Sequence, residues 1–260
     1  MLSKTRFQTL SAYTRKKARE ADGLFFVDGW RWLEEVLALP EAPECVLAVP
    51  GAARNATETA LLERARRRAR AFYEAGPAQL ARLTGSVQAP GVAALVRWRP
   101  AAFTPDGLPA GPGLIVAMEA VQDPGNAGTI VRSADWFGAA GVVFGPGTVE
   151  PTNPKLVRST MGSLFHLPVS EGEPLPHVIG RARAAGFRAV GAALDGEPLP
   201  AFRWPERTLL IVGNEAGGIS DSVRNCLDAR VLIPSYGRAE SLNASVAAAV
   251  LMAEWRRVSG

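Results

Sequence analysis

Side chains able to do chemistry cluster at three places, each where an apolar run gives way to a helical one. Residues 231–257, VLIPSYGRAESLNASVAAAVLMAEWRR, open as a short strand over 231–233 that Pro234 stops. A polar loop with Tyr236, Gly237 and Arg238 follows, then a helix over 246–257. Ala247, Val250, Leu251 and Glu254 recur at helical spacing, and Arg256 and Arg257 stand in the last turn, where cations suit the helix dipole. Ser241, Asn243 and Ser245 crowd the junction. One such residue caps a helix; three beside the apolar Leu242 suit a loop that hydrogen-bonds a ligand. Residues 114–136 (LIVAMEAVQDPGNAGTIVRSADW) and 208–223 (TLLIVGNEAGGISDSV) repeat the order of buried strand, Gly-rich polar turn and helix. They contribute Asn126, Arg132 and Glu215. Strand-to-helix junctions are where open α/β sheets bind ligands. The groups on offer are a guanidinium, a carboxylate, amides and hydroxyls. With only His166 and His177 in the chain, a histidine-based catalytic system or a zinc site is poorly supported.

Two common cofactor signatures are missing. No GxGxxG follows the first strand of 114–136, and no GxxxxGK[ST] occurs, so neither a dinucleotide site nor a phosphate-cradling loop is supported.

Together the three stretches resemble the signature motifs of the SpoU (TrmH-type) RNA ribose methyltransferases of the SPOUT superfamily. NAGTIVR (126–132) matches the first, VGNEAGG (212–218) the second and IPSYGRAESLNASVAAAV (233–250) the third, in the family's order and spacing. The likeness covers roughly residues 113–257. It implies S-adenosylmethionine as cofactor, with Gly213, Ile233 and Leu242 giving backbone and apolar contacts to it, and no metal. It implies methylation of a ribose 2′-hydroxyl in RNA, with Asn126, Arg132, Glu215, Ser241 and Asn243 at the catalytic site. It also implies a C-terminal parallel-sheet domain with a deep trefoil knot, and a homodimer in which one subunit's Arg132 or N-terminal arm serves its neighbour's site.

The chemical properties of these side chains allow roles beside bland readings. Arginine rarely gives up its proton, since its pKa lies above 12. Arg132 therefore either clamps the phosphate next to the target ribose with its planar fork, or works as a base with that phosphate's help. The first reading is preferred, with a phosphate oxygen or water taking the proton. Asn126, after Pro124-Gly125, also suits a plain turn, and Glu215 a helix cap. Ser241 and Asn243 can donate and accept toward ribose or a cofactor carboxylate, whereas Ser245 reads as the cap. Tyr236 beside Arg238 suits either base stacking or simple exposure.

The elements that position these groups read as two α/β domains. Residues 1–100 run strand (24–27), helix (30–39), strand (45–49), helix (57–73), helix (77–83) and strand (92–98), behind a basic lead-in over 1–20 read as a helix or partly ordered arm. This order resembles the small ribosomal-protein-like, RNA-substrate-binding domain that precedes the catalytic domain in one branch of the family, with Asp28 where the family usually has Glu. Residues 101–112 form a Pro/Gly-rich linker. Over 113–260 strands at 114–118, 141–144, 164–169, 188–193, 209–212 and 231–233 alternate with helices at 128–137, 153–160, 175–185, 220–227 and 246–257. That alternation predicts a parallel sheet covered on both faces.

Composition bounds the remaining choices. At 260 residues, 47% hydrophobic and 21% charged, the chain has the make-up of a soluble globular protein, with no apolar run of the length a membrane helix needs. Cys45 and Cys226 lie far apart without metal-ligand spacing, which suits reduced cysteines in a cytoplasmic protein. Residues 1–105 carry 16 Lys and Arg against 10 Asp and Glu, while 106–260 carry 13 against 15. The positive charge belongs to the N-terminal half, which suits contact with a polyanion. The five arginines over 64–70 leave a plain solvated helix face and a nucleic-acid-facing one both open. The extra N-terminal domain favours ribosomal RNA over tRNA as substrate. A tRNA methyltransferase, a non-catalytic RNA-binding protein of the same fold and a small-molecule α/β enzyme using a nucleotide are the alternatives.

Overall fold

The computed structural model describes residues 1–87, 90–105, 111–214 and 217–259. The chain groups into two compact units, one of residues 1–99 with 152–162, the other of residues 100–151 with 163–260.

In the first unit the basic lead-in is folded. Helices α1 (Lys4–Leu10) and α2 (Lys16–Asp22) flank a 3-10 turn over Ser11–Thr14. Leu2 and Leu10 are buried in the unit's core, and the Leu2 amide donates to the Glu74 carbonyl at 2.7 Å. Then come β1 (Leu24–Asp28), α3 (Trp30–Ala38), β2 (Cys45–Ala48), α4 (Ala56–Arg68), β3 (Phe72–Glu74), α5 (Pro77–Thr84) and β4 (Val92–Arg97). The sheet order is β1-β4-β2-β3, with β4 antiparallel to both β1 and β2, and β3 parallel to β2. The single helix expected over 57–73 ends at Arg68, because Ala69 turns extended and the aromatic pair Phe72-Tyr73 supplies the edge strand β3.

The second unit holds an all-parallel six-stranded sheet. In chain order its elements are β5 (Gly113–Met118), α6 (Pro124–Trp136) and β6 (Gly141–Phe144). Helix α7 (Pro154–Thr160) follows in sequence but groups with the first unit. Next are β7 (Val169–Glu171), α8 (Leu175–Ala184), β8 (Arg188–Pro198), β9 (Arg207–Val212), the short α9 (Asp221–Arg224), β10 (Ala229–Leu232) and α10 (Ala244–Ser259). Strand order is β10-β8-β9-β5-β6-β7. Leu114 through Met118 and Thr208 through Val212 are buried without alternation, as expected of strands covered on both faces. The strand expected over 164–169 is divided: Ser163–Phe165 make a 3-10 turn, and pairing starts only after Pro168, which has no N–H to give a ladder. Part of the expected linker is packed rather than free. Phe103 is buried in this unit's core with Arg181 over its ring, and the Ala101 amide bonds the Val169 carbonyl at 2.8 Å. Residues 106–110 of that linker lie outside the described residues.

Candidate functional site

The parallel sheet ends in a cavity of about 810 Å³, within the range of small-molecule sites. It opens at the carboxyl ends of β9 and β10, beside the middle of β8, on the side of the sheet where parallel strands bind ligands. Its walls come from residues 192–195, from residues 212–214 with 217 and 218, from the 233–242 loop and from Ala244, Ala247 and Leu251 of α10. Leu194, Val212, Ile233, Leu242 and Leu251 give apolar surface; Asp195, Arg224 and Glu240 give charge. Such a lining suits a flat apolar ring carrying a polar, charged tail, and S-adenosylmethionine has that form.

The approach of Gly218 to Gly213 and Asn214 is held by backbone bonds. Asn214 and Gly218 exchange both amide-to-carbonyl bonds, at 3.0 and 2.9 Å, and the Asn214 side-chain amide donates to the Ala120 carbonyl at 2.8 Å. A Cβ at Gly213 would stand 2.3 Å from the Gly218 backbone, so only glycine allows this approach. Glu119, at the end of β5, accepts the Ser220 amide at 2.9 Å and its hydroxyl at 2.6 Å, which fixes the entry into α9. The sequence pattern did not single out Glu119; a carboxylate one residue past a buried strand was its signal.

The expected catalytic residues occupy different depths. Asp123 caps α6, its Oδ1 accepting the Asn126 amide at 2.9 Å, so Asn126 stands in the first helical turn rather than in a free turn. Asn243 caps α10: its Oδ1 accepts the Ser245 amide at 2.9 Å, the Ser245 hydroxyl at 2.7 Å and the Val246 amide at 3.3 Å. The cap is therefore Asn243, and Ser245, expected in that role, is a buried donor to it. The free Nδ2 of Asn243 donates to Asn126 Oδ1 at 2.9 Å, so a side-chain bond joins the first and third motifs. Ser241, Leu242, Gly213 and Ile233 line the cavity; Asn126, Asn243 and Arg132 are outside that lining. Arg132 lies six residues beyond Asn126 on α6, exposed and without an ion-pair partner among the described residues. Glu215 lies outside the described residues. Tyr236, at the rim, is 92% exposed. Among the described residues no group of His, Cys, Asp or Glu could hold a metal ion.

Residues 192–195 and Arg224, also part of the lining, carried no motif in the sequence. Asp195 Oδ2 accepts Arg224 at 2.6 Å and Arg230 at 2.7 Å. Desolvation alone would raise the Asp195 carboxyl, but the two guanidinium groups outweigh it and hold it below the ordinary carboxylate value.

Comparison with known proteins places this site in context. Residues 113–253 match the SpoU rRNA Methylase family. The 23S rRNA (guanosine(2553)-2′-O)-methyltransferase RlmP of Bacillus subtilis is 42% identical over 139 residues, 53% of this chain and 56% of that protein. The 23S rRNA (uridine(2479)-2′-O)-methyltransferase of Streptomyces viridochromogenes is 40% identical over 154 residues, 56% of this chain and 53% of that protein. The chain thus spans about half the length of these curated relatives. An AdoMet-bound rRNA methyltransferase from Sinorhizobium meliloti superposes with a TM-score of 0.87 at 27% identity, over 99% of this chain and 97% of that one.

Proposed function

This chain belongs to the SpoU rRNA Methylase family, and from that premise we propose that it transfers a methyl group from S-adenosylmethionine to a ribose 2′-hydroxyl of RNA. One observation carries the reading. The cavity at the strand ends is lined by the second and third motifs, and the Asn126–Asn243 bond fastens the first motif to the third beside it. Ribosomal RNA is the preferred substrate, since both curated relatives above are named for 23S rRNA and for a ribose 2′-oxygen. A cytoplasmic setting goes with that substrate.

S-adenosylmethionine, when bound, supplies an electrophilic methyl on a sulfonium. Gly213, Ile233 and Leu242 would hold it, with backbone groups of Gly213, Asn214 and Gly218 and apolar surface on the facing loop. What remains for the chain is to hold the ribose hydroxyl in line and give its proton a destination. Arg132 stays protonated and clamps the phosphate next to the target ribose, so that a phosphate oxygen or water takes the proton. Its exposure and lack of an ion-pair partner among the described residues leave the fork open for that anion. Ser241, on the cavity wall, and the Asn126–Asn243 pair orient the ribose; Glu215 is assigned to the same site by family resemblance alone.

The first unit serves as the RNA-substrate-binding domain in this reading. Lys4, Arg15, Lys17 and Arg67 are exposed, with no ion pair among the described residues, and are its phosphate contacts. The catalytic unit works as a homodimer: Val246, Val250 and Val258 of α10 leave apolar surface exposed at multiples of four residues. The trefoil knot belongs to the same proposal. It is supported by β10 lying at the sheet edge while the helix that follows it returns to pack on α6.

The experiment pairs calorimetry with transfer of a labelled methyl group to RNA. Arg132→Ala should keep S-adenosylmethionine affinity within about twofold and lower transfer by at least ~100-fold, the scale of losing an electrostatic contact at a reacting centre. A variant that loses cofactor affinity instead would remove Arg132 from the proposed role.

A further inference from the structure

The cavity wall that no motif marks is the stretch 192–195. Strand β8 pairs with β10 through Ala229↔Val190 and Arg230↔Gly191, and then the register jumps so that Val231 faces Glu197. Residues 192–196 of β8 therefore have no partner on β10 and form a bulge between consecutive pairs, beside the strand ends where the cavity opens. Two features hold it. Gly196 packs on the backbone of Arg230 and Val231, which a Cβ would approach to 2.7 Å. Asp195, with its side chain about half exposed, accepts Arg224 Nη2 and Arg230 Nη1 on one oxygen.

The placement of the three groups is informative. Asp195 and Arg224 line the cofactor cavity, whereas Arg230 does not. All three also line a second, polar cavity of about 510 Å³. The ion-paired group is thus the partition between the two cavities, and Arg230 grips it from the far side. Leu194, next to Asp195, presents a side chain that is 76% exposed toward the first cavity's surface. An apolar side chain held out at the rim of a binding cavity gains from the partition only if the bulge stays where the ligand needs it.

We propose that Asp195, gripped by Arg224 and Arg230, is a positioning residue that fixes the 192–196 bulge, whose residues 192–195 wall the cavity, and thereby sets affinity for the adenosyl cofactor. The inference rests on the reading of that cavity as the S-adenosylmethionine site. A bulge released from the clasp has to be ordered again when the ligand binds, which weakens binding without removing any contact. Exposed ion pairs are individually weak, so two of them acting on one carboxylate set a loss of roughly threefold to tenfold in affinity.

The test is calorimetric titration of the full chain with S-adenosylhomocysteine, for the unaltered protein and for Asp195→Ala, Asp195→Glu, Arg230→Ala and the double variant Asp195→Ala/Arg230→Ala. Asp195→Ala should bind roughly threefold to tenfold more weakly, and Arg230→Ala, which removes one of the two pairs, should lose less. The double variant should be no weaker than Asp195→Ala, because Arg230 reaches the cavity only through Asp195. Asp195→Glu should recover most of the loss, and melting temperatures should stay together. Unchanged affinity in Asp195→Ala, additive losses in the double variant, or a fall in melting temperature that tracks the loss would overturn the inference while leaving the cofactor site standing. Absence of binding by the unaltered protein would overturn the cofactor reading itself, and this inference with it.

Discussion

Asn243 uses one amide for two purposes. Its oxygen satisfies the first backbone donors of α10, and its nitrogen reaches Asn126 on α6. The two roles are separable by mutation. Asn243→Ala should cost about 1 kcal/mol of stability for the lost cap and also reduce methyl transfer. Asn126→Ala removes no cap, so it should reduce transfer while the melting temperature barely moves. Thermal melts beside transfer rates check both; equal destabilisation by the two variants would argue that the bond only supports the fold. The sequence made both asparagines legible as site candidates. It did not show which of Ser241, Asn243 and Ser245 caps the helix, because Ser and Asn cap about equally well. Asp195 was not legible at all, since its partners come from residues 29 and 35 positions away.

Among the elements, α4 divides its arginines between the fold and solvent. Its density of arginine left an RNA-facing helix open. Arg64 instead donates to the Leu37 carbonyl, and Arg68 to those of Leu39 and Pro40, where α3 ends and its last carbonyls lack helical partners. Arg66 lies over the Phe72 ring and pairs with Glu63 and Glu74. The double change Arg64→Ala/Arg68→Ala should therefore lower stability, by roughly 1–3 kcal/mol for two charged donors to backbone, and leave the salt dependence of RNA binding unchanged. Lys17→Ala/Arg67→Ala should do the reverse, flattening the salt slope by about 1–2 with stability kept. Salt titrations of RNA affinity beside melting curves distinguish the two. Helices and buried strands with clear periodicity were readable in advance. The short edge strand β3 and the 192–196 bulge were not, because pairing across the sheet, and not local composition, makes them.

At the scale of the whole molecule, the order of elements pointed to two α/β domains and the alternation over 113–260 to a parallel sheet, and the structure has a six-stranded parallel sheet in its second unit. Sequence order alone gave no sign that 152–162 would group with the first unit. There Arg158 donates to the Thr84 carbonyl at 3.1 Å and approaches Asp28 at 3.9 Å, contacts separated by more than seventy residues. Assembly is tested on the exposed face of α10. Val246→Arg/Val250→Arg should convert a dimer to a monomer in light scattering at micromolar concentration, with the monomer still folded. A mass that is already monomeric without the substitutions would contradict the homodimer.

The most direct measurement supplies purified protein and tritiated S-adenosylmethionine to total RNA from a host lacking the gene, followed by size separation and alkaline digestion. Ribose methylation blocks alkaline cleavage at the modified nucleotide, so the expected result is label in large ribosomal RNA, retained in alkali-resistant dinucleotides. Label released as ordinary mononucleotides would contradict ribose chemistry. Label confined to tRNA would keep the chemistry and overturn the substrate. No label in any fraction, with cofactor binding intact, would contradict methyl transfer to free RNA.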